Sequence, residues 1–317
     1  MKVNFKFICS LLLSISIFSC TPKENKNAEG GSASSTSTAI KDFERPVPPA
    51  VMISMQDREE YMITHYWDKF NFSDTMYCHA PHITDNAFMH FISKFPYATK
   101  DKIHEGVKKM LDYALVDVVM YNYFYKLGER FLYDDPNSTM RNDEYFIPFL
   151  EHVVSTPKIV EENKIRHKYL LNLAYKNRPG EKASNFTYTL NSEQTGTLYG
   201  ISSKYVLLMF FNPDCRECQH TTAQLKEDTT ISAAISSGTL KILAVYPDED
   251  PELWRKYLAQ IPSTWINGYD KTLAVKSEAL YDLRAIPTLY LLDKDKTVIF
   301  KDVTEIEIIR NYLVQNP

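Results

Sequence analysis

The stretch YVLLMFFNPDCRECQH, residues 205–220, holds the two features on which the fold turns. Residues 205–211 are apolar without a break. A run of that length, bounded by turn signals, reads as a strand buried on both faces. Cys215 follows and opens a helix expected to reach about Lys226, with Cys218 one turn in. A C-x-x-C pair by itself leaves three uses open: an exchangeable dithiol, half of a metal site, or a static staple.

Outward from this stretch, short strands alternate with helices. NFTYTL (185–190) and TGTLYGI (195–201) predict a hairpin upstream. Downstream, ISAAISSG (231–238) reads as a short helix and LKILAVYP (240–247) as a strand. DPELWRKYLAQI (250–261) reads as a helix with Asp250 as N-cap and Pro251 at the first position. SEALYDLR (277–284) reads as helical, TLYLLD (288–293) and TVIFKD (297–302) as a hairpin, and EIEIIRNYLVQN (305–316) as a closing helix. This order predicts a central mixed sheet with helices on both faces.

Residues 51–180 carry a different pattern. Apolar residues recur at helical spacing in DREEYMITHYWDKF (57–70), DNAFMHFISKF (85–95), DEYFIPFLEHVVS (143–155) and IVEENKIRHKYLLNLAYKNR (159–178). A long run, residues 100–133, places Val107, Leu111, Leu115, Val118 and Val119 on one face. About five helices are expected, with breaks at residues 134–137 and 156–157. The fold class is therefore α+β in two domains: all-α over 51–180, and α/β over 181–317.

The chain has 317 residues and a net charge of -4, so no basic footprint points to nucleic acid. Its first 19 residues combine Lys2 and Lys6 with a short apolar run ending IFSC. This segment resembles a bacterial lipoprotein signal, with Ile17 and Ser19 ahead of a lipid-accepting Cys20. Residues 20–50 are polar, Gly/Ser/Thr-rich and then proline-bearing, the composition of a flexible tether. Export places the chain where disulfides persist. Of five cysteines, Cys9 leaves with the signal and Cys20 takes the lipid, so Cys78 is left beside the close pair.

The buried strand entering Cys215 and Cys218, the segment LAVYPDEDPELWRKYL (243–258), and LYDLRAIPTLYLLDKDKTVIFKD (280–302) occur in an order that resembles the thioredoxin-fold family. The resemblance is to its exported, membrane-tethered thiol-disulfide oxidoreductases and covers about residues 183–317. It implies Cys215 as the nucleophile and Cys218 as the resolving thiol of a redox-active disulfide. It also implies a cis-proline at Pro287, with Ile286 offering its backbone to an extended substrate. Asp214, Arg216 and Glu217 are read as tuning the pair: Arg216 favours a Cys215 thiolate, whereas Asp214 opposes it by charge and by competing as the N-cap. The chain departs from the family at Asp214, where Trp is frequent, and at Met209, where thioredoxins carry a buried acid. REEYMITHYWDKFNFSDT (58–75) resembles an uncharacterised domain that precedes thioredoxin-like domains in some bacterial lipoproteins.

A zinc clip would need a second cysteine pair or two histidines, and haem attachment would need His where Gln219 stands. Cys78, His79 and His82 lie together in YCHAPH (77–82), read as a loop between helices. No metal and no cofactor are expected. The expected partners are exported protein thiols and disulfides, an upstream membrane electron donor, and the membrane through lipid on Cys20. The expected location is the periplasmic side of a membrane, with the outer membrane or cell surface also open. An alternative is an anchored binding protein, whose helical domain recognises a partner while the thioredoxin fold serves as scaffold.

Overall fold

Helical spacing of apolar residues builds the first half of the molecule. In the computed structural model, which describes residues 40–135, 138–303 and 305–317, six α-helices lie between Met55 and Tyr175 among the described residues. They are α1 (Met55–His65), α2 (Pro81–Ile92), α3 (Lys100–Ala114), α4 (Val118–Glu129), α5 (Asp143–Ser155) and α6 (Glu161–Tyr175). A π-helical turn, Arg130–Asp134, extends α4. The expected signal, Cys20 and most of the tether lie outside the described residues, as do Pro136 and Asn137 of the expected break.

Two expectations are corrected here. The run 100–133 is two helices, because Asp117 caps a new one: its Oδ1 accepts from the Val119 and Met120 N–H groups at 2.7 and 3.2 Å. The restart turns Val118 and Val119 outward, 72% and 52% exposed, so they do not share the buried face of Val107 and Leu111. The tether also ends earlier than residue 50. Phe43 is buried against Trp67 and Phe70, with ring centroids 5.5 and 5.0 Å apart, and the Arg45 guanidinium lies 3.8 Å above its ring. The Tyr77 hydroxyl donates to the Lys41 carbonyl at 2.8 Å and Arg45 Nε to the Tyr66 hydroxyl at 3.3 Å, so ring packing and hydrogen bonds together dock that segment.

The helical core is rich in rings, and its helices approach closely. A Cβ on Gly106 of α3 would stand 2.7 Å from the Ile63 carbonyl oxygen of α1. Backbone cannot yield as a side-chain tip can. Gly106→Ala is therefore expected to destabilise the protein by about 1–3 kcal/mol, read as a lower urea midpoint at unchanged slope.

The second half is a seven-stranded mixed sheet in the order β2-β1-β5-β4-β3-β6-β7. The strands are β1 (Thr187–Leu190), β2 (Thr195–Thr197), β3 (Tyr205–Phe210), β4 (Leu240–Tyr246), β5 (Ile266–Tyr269), β6 (Thr288–Asp293) and β7 (Val298–Phe300). β3 pairs parallel to β4 and antiparallel to β6, so it lies at the centre with every residue buried. Alternate β3 side chains feed two cores: Leu207 and Met209 on one face, Val206, Leu208 and Phe210 on the other. The first face is covered by α7 (Arg216–Glu227), α8 (Thr229–Ser236), α9 (Pro251–Tyr257) and α11 (Ile306–Gln315). The other receives Val275 of the short α10 (Ala274–Ser277), together with Tyr281. This is a thioredoxin fold, with the expected strands from β1 to β4 and from β6 to β7 in place. β5 was not expected. The expected helix at 277–284 is instead α10, ending at Ser277, and residues 278–284 run as irregular chain.

On β1, Tyr188 lies across two neighbours. Its ring stands 2.5 Å from where a Cβ on Gly196 of β2 would be, and 2.9 Å from the same position on Gly268 of β5. Only glycine fits under that ring on either side.

Residues 278–284 are held by the helical half. Lys176 Nζ donates to the Ala279 carbonyl and Asn177 Nδ2 to the Leu280 carbonyl, both at 2.8 Å. Arg284 Nη2 lies 2.8 Å from Asp143 Oδ1, and Lys301 Nζ lies 2.9 Å from the other Asp143 oxygen. The Arg284 guanidinium stands 3.7 Å above the Tyr133 ring. Among the described residues no helix is long and apolar enough to cross a membrane.

Candidate dithiol site

The loop leaving β3 is shaped by Asn212. Its Oδ1 accepts the Asp214 N–H at 2.9 Å, and its carbonyl accepts the Cys215 N–H at 3.1 Å. Its Nδ2 donates to Asp248 Oδ2 at 2.7 Å, and Asp248 in turn pairs with Lys276. The turn delivers Cys215 to the start of α7, where its sulfur accepts the Cys218 N–H at 3.2 Å. Cys215 is thus itself the N-cap. Asp214 is exposed one residue earlier and does not compete for the cap, because the Asx turn at Asn212 fixes where the helix begins. Arg216 and Glu217 are exposed in the first turn.

The two thiols are unlike. Cys215 is half-buried, at a helix end whose free N–H groups and dipole favour negative charge. Cys218 is 1% exposed and packs in the sheet core. Burial, aided by the hydrogen bond with Cys215, holds its thiol well above the ordinary range. Thr222 donates to the Cys218 carbonyl at 2.7 Å, and the buried Tyr257 ring packs at a tilt against Phe211, centroids 5.9 Å apart. Met209, where thioredoxins carry an acid, is fully buried in this same core.

Across the site, the Ile286–Pro287 peptide is cis and the Cys215 thiol donates to the Ile286 carbonyl at 3.3 Å. The fold thus brings together four sequence-predicted residues: Cys215, Cys218, Ile286 and Pro287. Asn212, Asp248 and Tyr257 were not singled out from the sequence. Asn-Pro before the first cysteine was a legible turn signal for Asn212, whereas Asp248 and Tyr257 reach the site only through tertiary packing. His220 is exposed on α7. In the helical half, Cys78 Sγ meets Met120 Sδ at 3.8 Å, while His79 and His82 are exposed.

A C-x-x-C pair at a helix start, facing a cis-proline loop beside the central strand of such a sheet, defines a thioredoxin-like protein. Residues 203–298 match the thioredoxin-like family model, and residues 19–177 match a domain of unknown function, DUF5106. The chain belongs to the thioredoxin-like proteins that carry a DUF5106 domain. A thioredoxin-like protein from Bacteroides caccae is 43% identical, with the match covering 88% of this chain and 100% of that one at a TM-score of 0.83. The C-terminal domain of an uncharacterized protein from Bacteroides fragilis is 47% identical over 44% of this chain and 98% of its own, with a TM-score of 0.43. The thioredoxin domain of a thiol-disulfide oxidoreductase from Bacteroides vulgatus is 22% identical over 44% of this chain and 97% of its own, with a TM-score of 0.39. No protein of curated function matches the chain.

Proposed function

We propose that this protein is a thiol-disulfide oxidoreductase acting on exported proteins, as a reductase or isomerase. The observation that carries the reading is the placement of Cys215 Sγ, 3.2 Å from the Cys218 N–H at a helix start and 3.3 Å from the Ile286 carbonyl. Cys215, as thiolate, attacks one sulfur of a substrate disulfide; a mixed disulfide forms and the other substrate sulfur leaves as a thiolate that takes up a proton. Cys218 then loses its proton and attacks Cys215 Sγ. The second substrate sulfur leaves, the substrate has gained two electrons and two protons, and Cys215–Cys218 is oxidised. An upstream membrane donor of electrons returns the pair to the dithiol.

The burial of Cys218 supports a reducing poise. A thiol held protonated lends no thiolate stabilisation to the reduced state, so the couple gives up electrons more readily. The Ile286 backbone receives the substrate. Lipid on Cys20 tethers the protein to a membrane on the periplasmic side, and Cys20→Ser is expected to shift it from membrane to soluble fractions.

The test is a trap. Cys218→Ser chain expressed in cells should accumulate mixed disulfides through Cys215, cleaved by dithiothreitol and identified by mass spectrometry. If Cys218→Ser and the Cys215→Ser, Cys218→Ser double variant give the same adducts, the exchange reading fails.

A further inference from the structure

The helical half has a direct hold on the site loop. Ile286, whose carbonyl faces the Cys215 sulfur, ends an irregular segment that side chains of that half contact at three points, Ala279, Leu280 and Arg284, while Tyr281 donates to the Ser184 carbonyl within the sheet domain. Lys176 and Asn177 bind its backbone at Ala279 and Leu280. Nearer the site, the helical half holds Arg284 through Asp143 at 2.8 Å and the Tyr133 ring at 3.7 Å, and Asp302 of the sheet domain adds a third contact at 3.6 Å. The Tyr133 hydroxyl also donates to Asp282 Oδ2 at 3.0 Å, and Asp282 binds the Arg284 guanidinium at 2.9 Å and its N–H at 3.0 Å. Tyr133 and Asp143 are buried, so water does not compete for these contacts. One residue, Ala285, separates Arg284 from Ile286.

We propose that the helical half is a brace for the dithiol site: Tyr133 and Asp143 act through Arg284 as positioning residues that hold the Ile286 carbonyl against Cys215. This proposal rests on the exchange reading and assigns the helical half a task within it. The Ile286 carbonyl accepts a hydrogen bond from the reduced Cys215 thiol, a bond that the disulfide lacks. Loosening the brace withdraws that acceptor and selectively disfavours the dithiol.

The test uses the full chain equilibrated in glutathione buffers, acid-quenched, with the Cys215–Cys218 disulfide quantified by mass spectrometry. Tyr133→Phe keeps the ring but removes the bond to Asp282; Asp143→Asn removes, of the three carboxylate charges facing Arg284, the one that the helical half supplies. Each is expected to shift the equilibrium constant toward the disulfide by about threefold to tenfold, the range of one weakened or lost hydrogen bond. The control is Arg178→Met, which breaks the Glu144 pair in the same half without touching residues 282–286, and it should leave the constant unchanged. A Tyr133→Phe constant within twofold of wild type, in a chain with wild-type thermal stability, overturns the brace. A shift equal to that of Arg178→Met overturns it too. Insulin reduction separates the two ideas. A wild-type chain that forms the disulfide but reduces nothing sinks the exchange reading, while the variant shift still decides the brace. A wild-type chain that forms no such disulfide overturns both.

Discussion

A Cys215→Ser chain is expected to lose insulin-disulfide reduction by about a thousandfold or more, since the other thiol at the site, Cys218, is buried out of reach of a protein disulfide and held protonated. Ser at 215 can still accept the Cys218 N–H and cap α7, so the fold should persist with little change in thermal midpoint. Cys218→Ser should behave differently, because attack still occurs and release does not. A single stoichiometric burst of substrate thiol, followed by arrest, separates the resolving role from the nucleophilic one. Full turnover by Cys215→Ser would remove the nucleophile assignment.

The second large effect concerns stability. Asp143 is buried between Arg284 and Lys301, its two oxygens 2.8 and 2.9 Å from their nitrogens. Asp143→Ala leaves half-buried Lys301 and Arg284 without that partner, though Arg284 keeps Asp282 and Asp302, and is expected to cost about 3 kcal/mol by urea denaturation. Burial pushes the Asp143 carboxyl up, but the Lys301 and Arg284 charges outweigh it, and the group titrates below its ordinary value. A depressed folded value means that the unfolded chain binds more protons there. The Asp143 contribution is therefore whole above the unfolded carboxylate value near 4, and is lost as pH falls through the folded value. Asp302, close by, has the opposite sign: burial raises it, against the pull of Arg141 and Arg284, and it costs stability as pH rises past its unfolded value. Asp143→Asn should therefore flatten the acid limb of the stability curve. A limb of unchanged slope would mean that Asp143 is not the group being protonated there.

The elements with strong local patterns were legible in the sequence. β3 announced itself as an unbroken apolar run, and the site followed because Cys215 and Cys218 abut it, with Ile286 and Pro287 ahead of the next strand. β5 was not legible. Its residues, INGY (266–269), include Asn267 and Gly268, and no alternation marks them as a strand. Pairing with β4 on one side and β1 on the other makes the strand, and Gly268 is there to admit Tyr188. The break at Asp117 was missed because the apolar period continues through it in Val118 and Val119; a local cap overrode the pattern. The brace was invisible for a different reason. Asp143 and Arg284 are 141 positions apart, and nothing in either neighbourhood names the other.

Tyr188 gives the sheet a way to check its own alignment. A slip of one residue between β1 and a neighbour would turn the ring to the opposite face. A slip of two would keep the face but bring the ring over Gln194 or Leu198 on one side, and over Ile266 or Asp270 on the other, all of which carry a Cβ. The ring is a key with two keyholes, and a single pairing opens both. The hairpin at the sheet's edge is thus joined to the strands beside the dithiol in one register.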